Sequence, residues 1–236
     1  MGPKKDTDVL APQTVDYVAL AAKAVLGATP IVGSLLVELA GVVVPNQRID
    51  RIAEFARDLE TKITRLEQAF VQSQLDNPEF SSLLEEGLQQ AARAVSSGRR
   101  AQIAELVARS LGGQDIAYAE SEHLLRLLRD LNDVEIIRLG SYLHQSYAPD
   151  EYREKHKDVL APALASFASP QSEKDRAALQ QSYDQHLERL WLLRVRYAVD
   201  SSTKLPEFDS RTGAQKIRGY GLTPLGELLC RQIGLS

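Results

Sequence analysis

The stretch Leu192–Leu229 constrains the fold of this chain more than any other, because it reads in order as strand, long polar turn, strand and capped helix. In Arg194-Val195-Arg196-Tyr197-Ala198-Val199, charged and apolar side chains alternate with period two. Gln215-Lys216-Ile217-Arg218-Gly219-Tyr220 is able to pair back on it, so the two segments predict a two-stranded wing. In the following Leu222-Thr223-Pro224-Leu225-Gly226-Glu227, Thr223 is placed to cap the first free N–H groups of a helix. Pro224 falls in the first turn, where no N–H donor is needed. With a helix predicted over Arg176–Trp191 ahead of it, this is the order of parts in a winged helix, a fold that binds DNA in some proteins and docks proteins in others. The expected fold class is mainly α: an N-terminal helical bundle followed by a C-terminal winged-helix domain with a two-stranded wing.

A chain of 236 residues has room for one large or two small domains, and the pattern favours two. Residues 1–12 read as a flexible lead, 13–112 as the bundle, 113–131 as a connecting helix and 132–236 as the winged-helix domain, with an insertion over 148–173. The apolar fraction of 44% is enough to build cores. Cys230 is the only cysteine, which excludes an intrachain disulfide and a thiolate metal cage and makes a reducing, cytoplasmic setting the expectation. The start Met1-Gly2-Pro3-Lys4-Lys5-Asp6, followed by Asp8, does not read as a cleaved signal peptide.

Within the first half, Tyr17–Val44 is almost wholly apolar or small. Only 14 uncharged residues separate Lys23 from Glu38, and Gly27, Pro30 and Gly33 interrupt them, so a spanning helix of ~20 residues does not fit. Two short helices joined near Pro30 are expected, either as a buried hairpin or as a membrane-surface element over 17–44. After Asn46, a long helix is predicted to about Ser73. Ile49, Ile52, Ala56, Leu59, Ile63, Leu66 and Phe70 recur every three or four residues and form one narrow seam. Ile52, Leu59, Ile63 and Leu66 are candidates for packing inside the bundle or across a homodimer.

Further on, Asn77-Pro78-Glu79 starts a helix whose expected buried stripe is Phe80, Leu83, Leu84, Leu88, Ala91 and Val95. Ser96-Ser97-Gly98 should break it before a helix over Ala101–Leu111. Gln114–Leu131 follows as the connecting helix. Asn132-Asp133-Val134-Glu135 has a capping residue with a glutamate three places on, the start of a helix through Leu143. A short charged helix is predicted over Asp150–Leu160.

No catalytic, cofactor or metal site is expected. The four histidines share no ligand spacing, and no phosphate loop, glycine-elbow serine or HExxH is present. The chain therefore reads as a non-enzyme without a small-molecule substrate. Its net charge of −4 argues against a dedicated nucleic-acid binder. The excess acid is confined to one half: residues 1–131 hold 14 Lys+Arg against 18 Asp+Glu, and residues 132–236 hold 14 of each. Candidate DNA-binding residues are Gln181, Gln185 and Arg189, four apart on one helix face, with Arg194, Arg196, Lys216 and Arg218 on the wing beside Lys204 and Arg211. Asp184 and Glu188 repeat at the same spacing on a neighbouring face and should repel phosphates.

Three stretches, Asn77–Leu111, Asn132–Leu143 and the closing Tyr220-Gly221-Leu222-Thr223-Pro224-Leu225-Gly226, together resemble the abortive-infection alpha type of bacterial phage-defence proteins. The resemblance covers about half the chain and implies a host-protective or growth-arresting role, with no catalytic residues to carry over. The leading expectation is an interaction protein that docks a protein partner. The alternatives are a winged-helix transcriptional regulator and a membrane-perturbing effector acting through 17–44.

Overall fold

The computed structural model describes residues 48–112, 116–143, 151–166, 168–210 and 212–235. The expected lead, the apolar hairpin over 17–44, Asn46 and Arg211 lie outside them. The chain is mainly helical, with a small antiparallel sheet of two strands near the C-terminus. It divides into two compact units between Arg126 and Leu127.

The first unit is built on α1 (Ile49–Ile63), α2 (Gln68–Leu75), α3 (Pro78–Arg93), α4 (Ser97–Gly112) and the start of α5 (Tyr118–Asp130). The seam places Ala56, Leu59 and Ile63 in the core beside Phe55, while Ile52 and Leu66 are half-buried. The single long helix expected through Ser73 is not formed. It ends at Thr64, whose Oγ1 bonds the Glu60 carbonyl at 2.6 Å, and Leu66 N–H turns back to Ile63 O at 2.9 Å. The break rotates α2, so that Val71 is buried and Phe70 is 40% exposed.

Helix α3 starts as its residues dictate, with Asn77 Oδ1 accepting Glu79 N–H at 2.9 Å and Pro78 in the first turn. It buries Phe80, Leu83, Leu84, Leu88 and Ala91. At Gly87 a β-carbon would lie 3.0 Å from Val107 Cγ2, so the missing side chain is what lets α3 approach α4. Val95, expected in the buried stripe, is 81% exposed. The helix stops at Arg93 and Ala94 is extended, so helical spacing no longer governs Val95. The break expected at Ser96-Ser97-Gly98 falls over residues 94–96: Ser96 Oγ accepts Arg99 N–H at 3.1 Å, and α4 begins at Ser97 with Gly98 inside it. The buried Arg100 joins these parts, pairing with Glu54 of α1 and donating to the carbonyls of Ala94 and Val95 at 2.9 and 3.1 Å.

The second unit contains α6 (Asp133–Leu143), α7 (Glu151–Lys155), α8 (Lys157–Leu160), α9 (Gln171–Arg189), β1 (Leu193–Tyr197), β2 (Ile217–Leu222) and α10 (Pro224–Gln232). The charged helix expected over Asp150–Leu160 is thus two short ones. The capping box of α6 closes in both directions: Asn132 Oδ1 accepts Glu135 N–H at 2.9 Å, and Glu135 Oε2 accepts Asn132 N–H at 2.8 Å. Glu135 Oε1 meets His186 Nδ1 at 2.7 Å, and Arg138 grips Asp184 with bonds of 2.6–3.0 Å. Both pairs fasten α9 to α6. Thr223 Oγ1 accepts Gly226 N–H at 3.0 Å and donates to Trp191 O at 2.6 Å, capping α10 and tying it to the end of α9. Leu187, Leu192, Leu193, Leu229, Cys230 and Ile233 are buried in this unit, and burial pushes the Cys230 thiol up to about 12. No helix among the described residues is long and apolar enough to cross a membrane.

Candidate docking surface

The hairpin has two unlike faces. Arg194 and Arg196 share one face of β1, and their cross-strand partners are Gly221 and Gly219. Neither guanidinium group has a hydrogen bond or ion pair among the described residues, and both side chains are exposed. The Arg196 guanidinium lies across Gly221, where any β-carbon would collide with it. On the other face, apolar cross-strand pairs run outward as Leu193/Leu222, Val195/Tyr220 and Tyr197/Ile217. Burial falls along this ladder: Leu193 is in the core, whereas Tyr197 and Ile217 are exposed. Between the last two pairs the register slips, Arg218 is the extra residue, and Gly219 takes φ 155°, a conformation that favours glycine.

The long turn expected between the strands is an ordered extension. Ala198 N–H donates to Lys216 O at 2.8 Å, Lys216 N–H to Glu207 O at 2.9 Å, and Glu207 N–H to Ala198 O at 3.0 Å, a closed ring of backbone bonds joining three passes of the chain. Beyond it lie two turns. In one, the Asp200 carboxylate accepts the N–H and hydroxyl groups of Ser202 and Thr203, which hold its pKa far below the usual carboxylate range. In the other, Asp209 accepts Thr212 N–H at 3.0 Å.

Trp191 sits where α9 meets the hairpin. Trp191 N–H bonds Glu188 O and Leu192 N–H bonds Leu187 O, the two bonds of a Schellman stop, with Trp191 at φ 61° in the position that glycine usually fills. A bulky side chain there costs of order 1 kcal/mol. The ring is nevertheless 75% exposed, so burial of the indole does not offset the strain.

Gln181, Gln185 and Arg189 are all exposed along α9, as their spacing predicted, and Lys216 and Arg218 are exposed on the hairpin. Lys216 pairs with Glu207 at 3.3 Å. The repulsion expected from Asp184 is moderated, because the half-buried carboxylate is occupied by Arg138. Asp184 also faces tyrosines: burial, then its charge, push Tyr142 up to about 12 and Tyr220 upward. Sequence reasoning missed Trp191, Leu205 and Phe208. The helix predicted over Arg176–Trp191 includes the first, and the others fall in the stretch that predicts a polar turn; their size within that stretch is the signal that could have found them. Among the described residues, no group of three or more His, Cys, Asp and Glu side chains is arranged to hold a metal ion. Comparison with protein-family models, curated proteins and solved structures found no match to this chain.

Proposed function

We propose that this chain acts by interaction rather than catalysis, and that its C-terminal unit is a winged helix that docks a protein partner. The succession α6, α7–α8, α9, hairpin and α10 supports the winged-helix part of this reading. One observation carries the docking part. Of the ten large apolar side chains exposed among the described residues, six lie between Trp191 and Ile217: Trp191, Tyr197, Val199, Leu205, Phe208 and Ile217. Concentrated exposed apolar surface marks interaction sites. The resemblance to abortive-infection proteins supports a defensive role for the interaction.

The test is purification of the full chain from a bacterial host, followed by identification of co-purifying protein, DNA and lipid. A protein retained by the natural chain and lost from a Tyr197→Ser, Phe208→Ser variant is the expected result. Equal retention by both overturns the reading. A second reading, duplex DNA binding, is favoured by the exposed row Gln181, Gln185 and Arg189 beside a neutralised Asp184. It requires affinity for a random duplex that falls steeply with salt, measured by fluorescence anisotropy.

A further inference from the structure

The geometry points to an extended acidic segment of a protein partner as the occupant of the hairpin, with Trp191 as apolar anchor and Arg194 and Arg196 as the side chains that select charge. This rests on the docking reading above and names the chemistry of the partner.

Charge complementarity is the first argument. An opposite charge across a strand pair stabilises a charged side chain, and the glycines facing Arg194 and Arg196, Gly221 and Gly219, leave that place empty. Both guanidinium groups stand in water, accessible to the carboxylates of another molecule. The edge of β1 away from β2 also carries no backbone partner among the described residues, and it is there that an added strand would pair. Two residues along a strand span about 6.6–6.8 Å, the separation of alternate side chains in any extended peptide. A partner with carboxylates at every second position therefore meets both arginines in register.

The second argument is the anchor. A tryptophan held in a glycine conformation and left in water contributes neither helix propensity nor core burial to its own fold. Covered by a partner, it becomes the kind of residue that dominates binding energy, and Arg and Tyr, also present here, belong to the same group. The surroundings favour protein over nucleic acid. Interfaces with DNA are polar and strongly basic, whereas this hairpin exposes Tyr197 and Ile217 on the face opposite its arginines and Val199 and Phe208 further along. Aromatic residues with arginine are what protein interfaces enrich.

Trp191 is the only tryptophan, so the emission of the full chain reports this place alone. The probes are a synthetic peptide alternating glutamate and valine, the same peptide with lysine for glutamate, and a random-sequence DNA duplex. With the acidic peptide, emission should move to shorter wavelength as the indole leaves water, and the lysine peptide should leave it unchanged. In anisotropy with the labelled acidic peptide, Arg194→Glu with Arg196→Glu should weaken binding at least about tenfold. Trp191→Gly separates anchoring from folding: it should keep or raise the melting temperature, since glycine suits φ 61°, while weakening binding about tenfold. Undiminished binding by either variant overturns the proposal, as does tighter binding of the duplex, which would move the surface to nucleic acid. Should the acidic peptide fail while the same arginine variant loses the protein that co-purifies with the natural chain, the acidic assignment falls and docking stands. Should that variant retain the protein while Tyr197→Ser, Phe208→Ser loses it, the acidic assignment alone falls; should both variants retain it, docking falls as well.

Discussion

Helix α3 buries eight of its sixteen residues, Phe80, Leu83, Leu84 and Leu88 among them, whereas the nineteen-residue α9 buries Leu187 alone. The first is held by apolar area, each large side chain contributing ~1.5–3 kcal/mol. The second is held by directional bonds: Arg138 to Asp184, Glu135 to His186, and Gln180, whose amide donates to Ala161 O and accepts from Ala163 N–H at 2.8 and 2.9 Å. Such bonds contribute ~0.5–1.5 kcal/mol each, or up to ~3 when charged. The difference teaches how the two helices use their surface. Apolar burial consumes a helix face; a few polar clamps fix a helix and leave the rest for another molecule.

Truncation in α3 is expected to have the largest effect. Leu84→Ala should cost ~2–5 kcal/mol by chemical denaturation, while Leu179→Ala in α9 should stay within about 0.5 kcal/mol, because Leu179 is exposed. Equal losses would break the comparison. Next is Glu135→Ala, which removes the acceptor for Asn132 N–H and the partner of His186 together and should cost ~1–3 kcal/mol. A change below the error of the denaturation curve would mean that these clamps do not hold α9. Thr223→Ala, which unties α10 from Trp191 O, should cost ~1 kcal/mol.

The smallest effect concerns pH and Glu105 of α4. Burial raises its pKa, but hydrogen bonds and charge from Lys62 and Arg109 outweigh this and hold the carboxyl below its ordinary value of 4.5. Because the folded value is the lower one, the stabilisation is fully present above 4.5 and disappears as pH falls through the folded value. Thermal melts of the natural chain and Glu105→Gln should therefore differ at neutral pH and converge in acid. A gap that widens on acidification would contradict the assignment.

What was legible in the sequence was chemistry settled within a few residues. Asn77 before Pro78, Asn132 with Glu135, and Thr223 before Pro224 each declare a helix start, and each is realised bond for bond. The Arg/apolar alternation of Arg194–Tyr197 likewise yields β1. What was not legible depends on distant parts of the chain. Nothing in Thr64-Arg65-Leu66-Glu67 forbids a helix, and the seam spacing continues through Leu66 to Phe70; burial of Val71 instead of Phe70 accompanies the break. The candidate site was half legible. Its arginines follow from alternation, but the glycines that leave them unpaired depend on a register with a bulge, and the exposure of Trp191 depends on a left-handed residue that carries no sequence mark.

The ring of backbone bonds through Ala198, Glu207 and Lys216 separates frame from content in the hairpin. Main-chain atoms alone close it, so any side chains compatible with the backbone leave it intact. The turns around Asp200 and Asp209 hang beyond the ring, as hypervariable loops hang from an antibody framework. Exchanging exposed residues there would change the surface of the tip without rebuilding the ring that supports it. The entropy of ordering this frame is met during folding, so a molecule that docked on it would not meet that cost again.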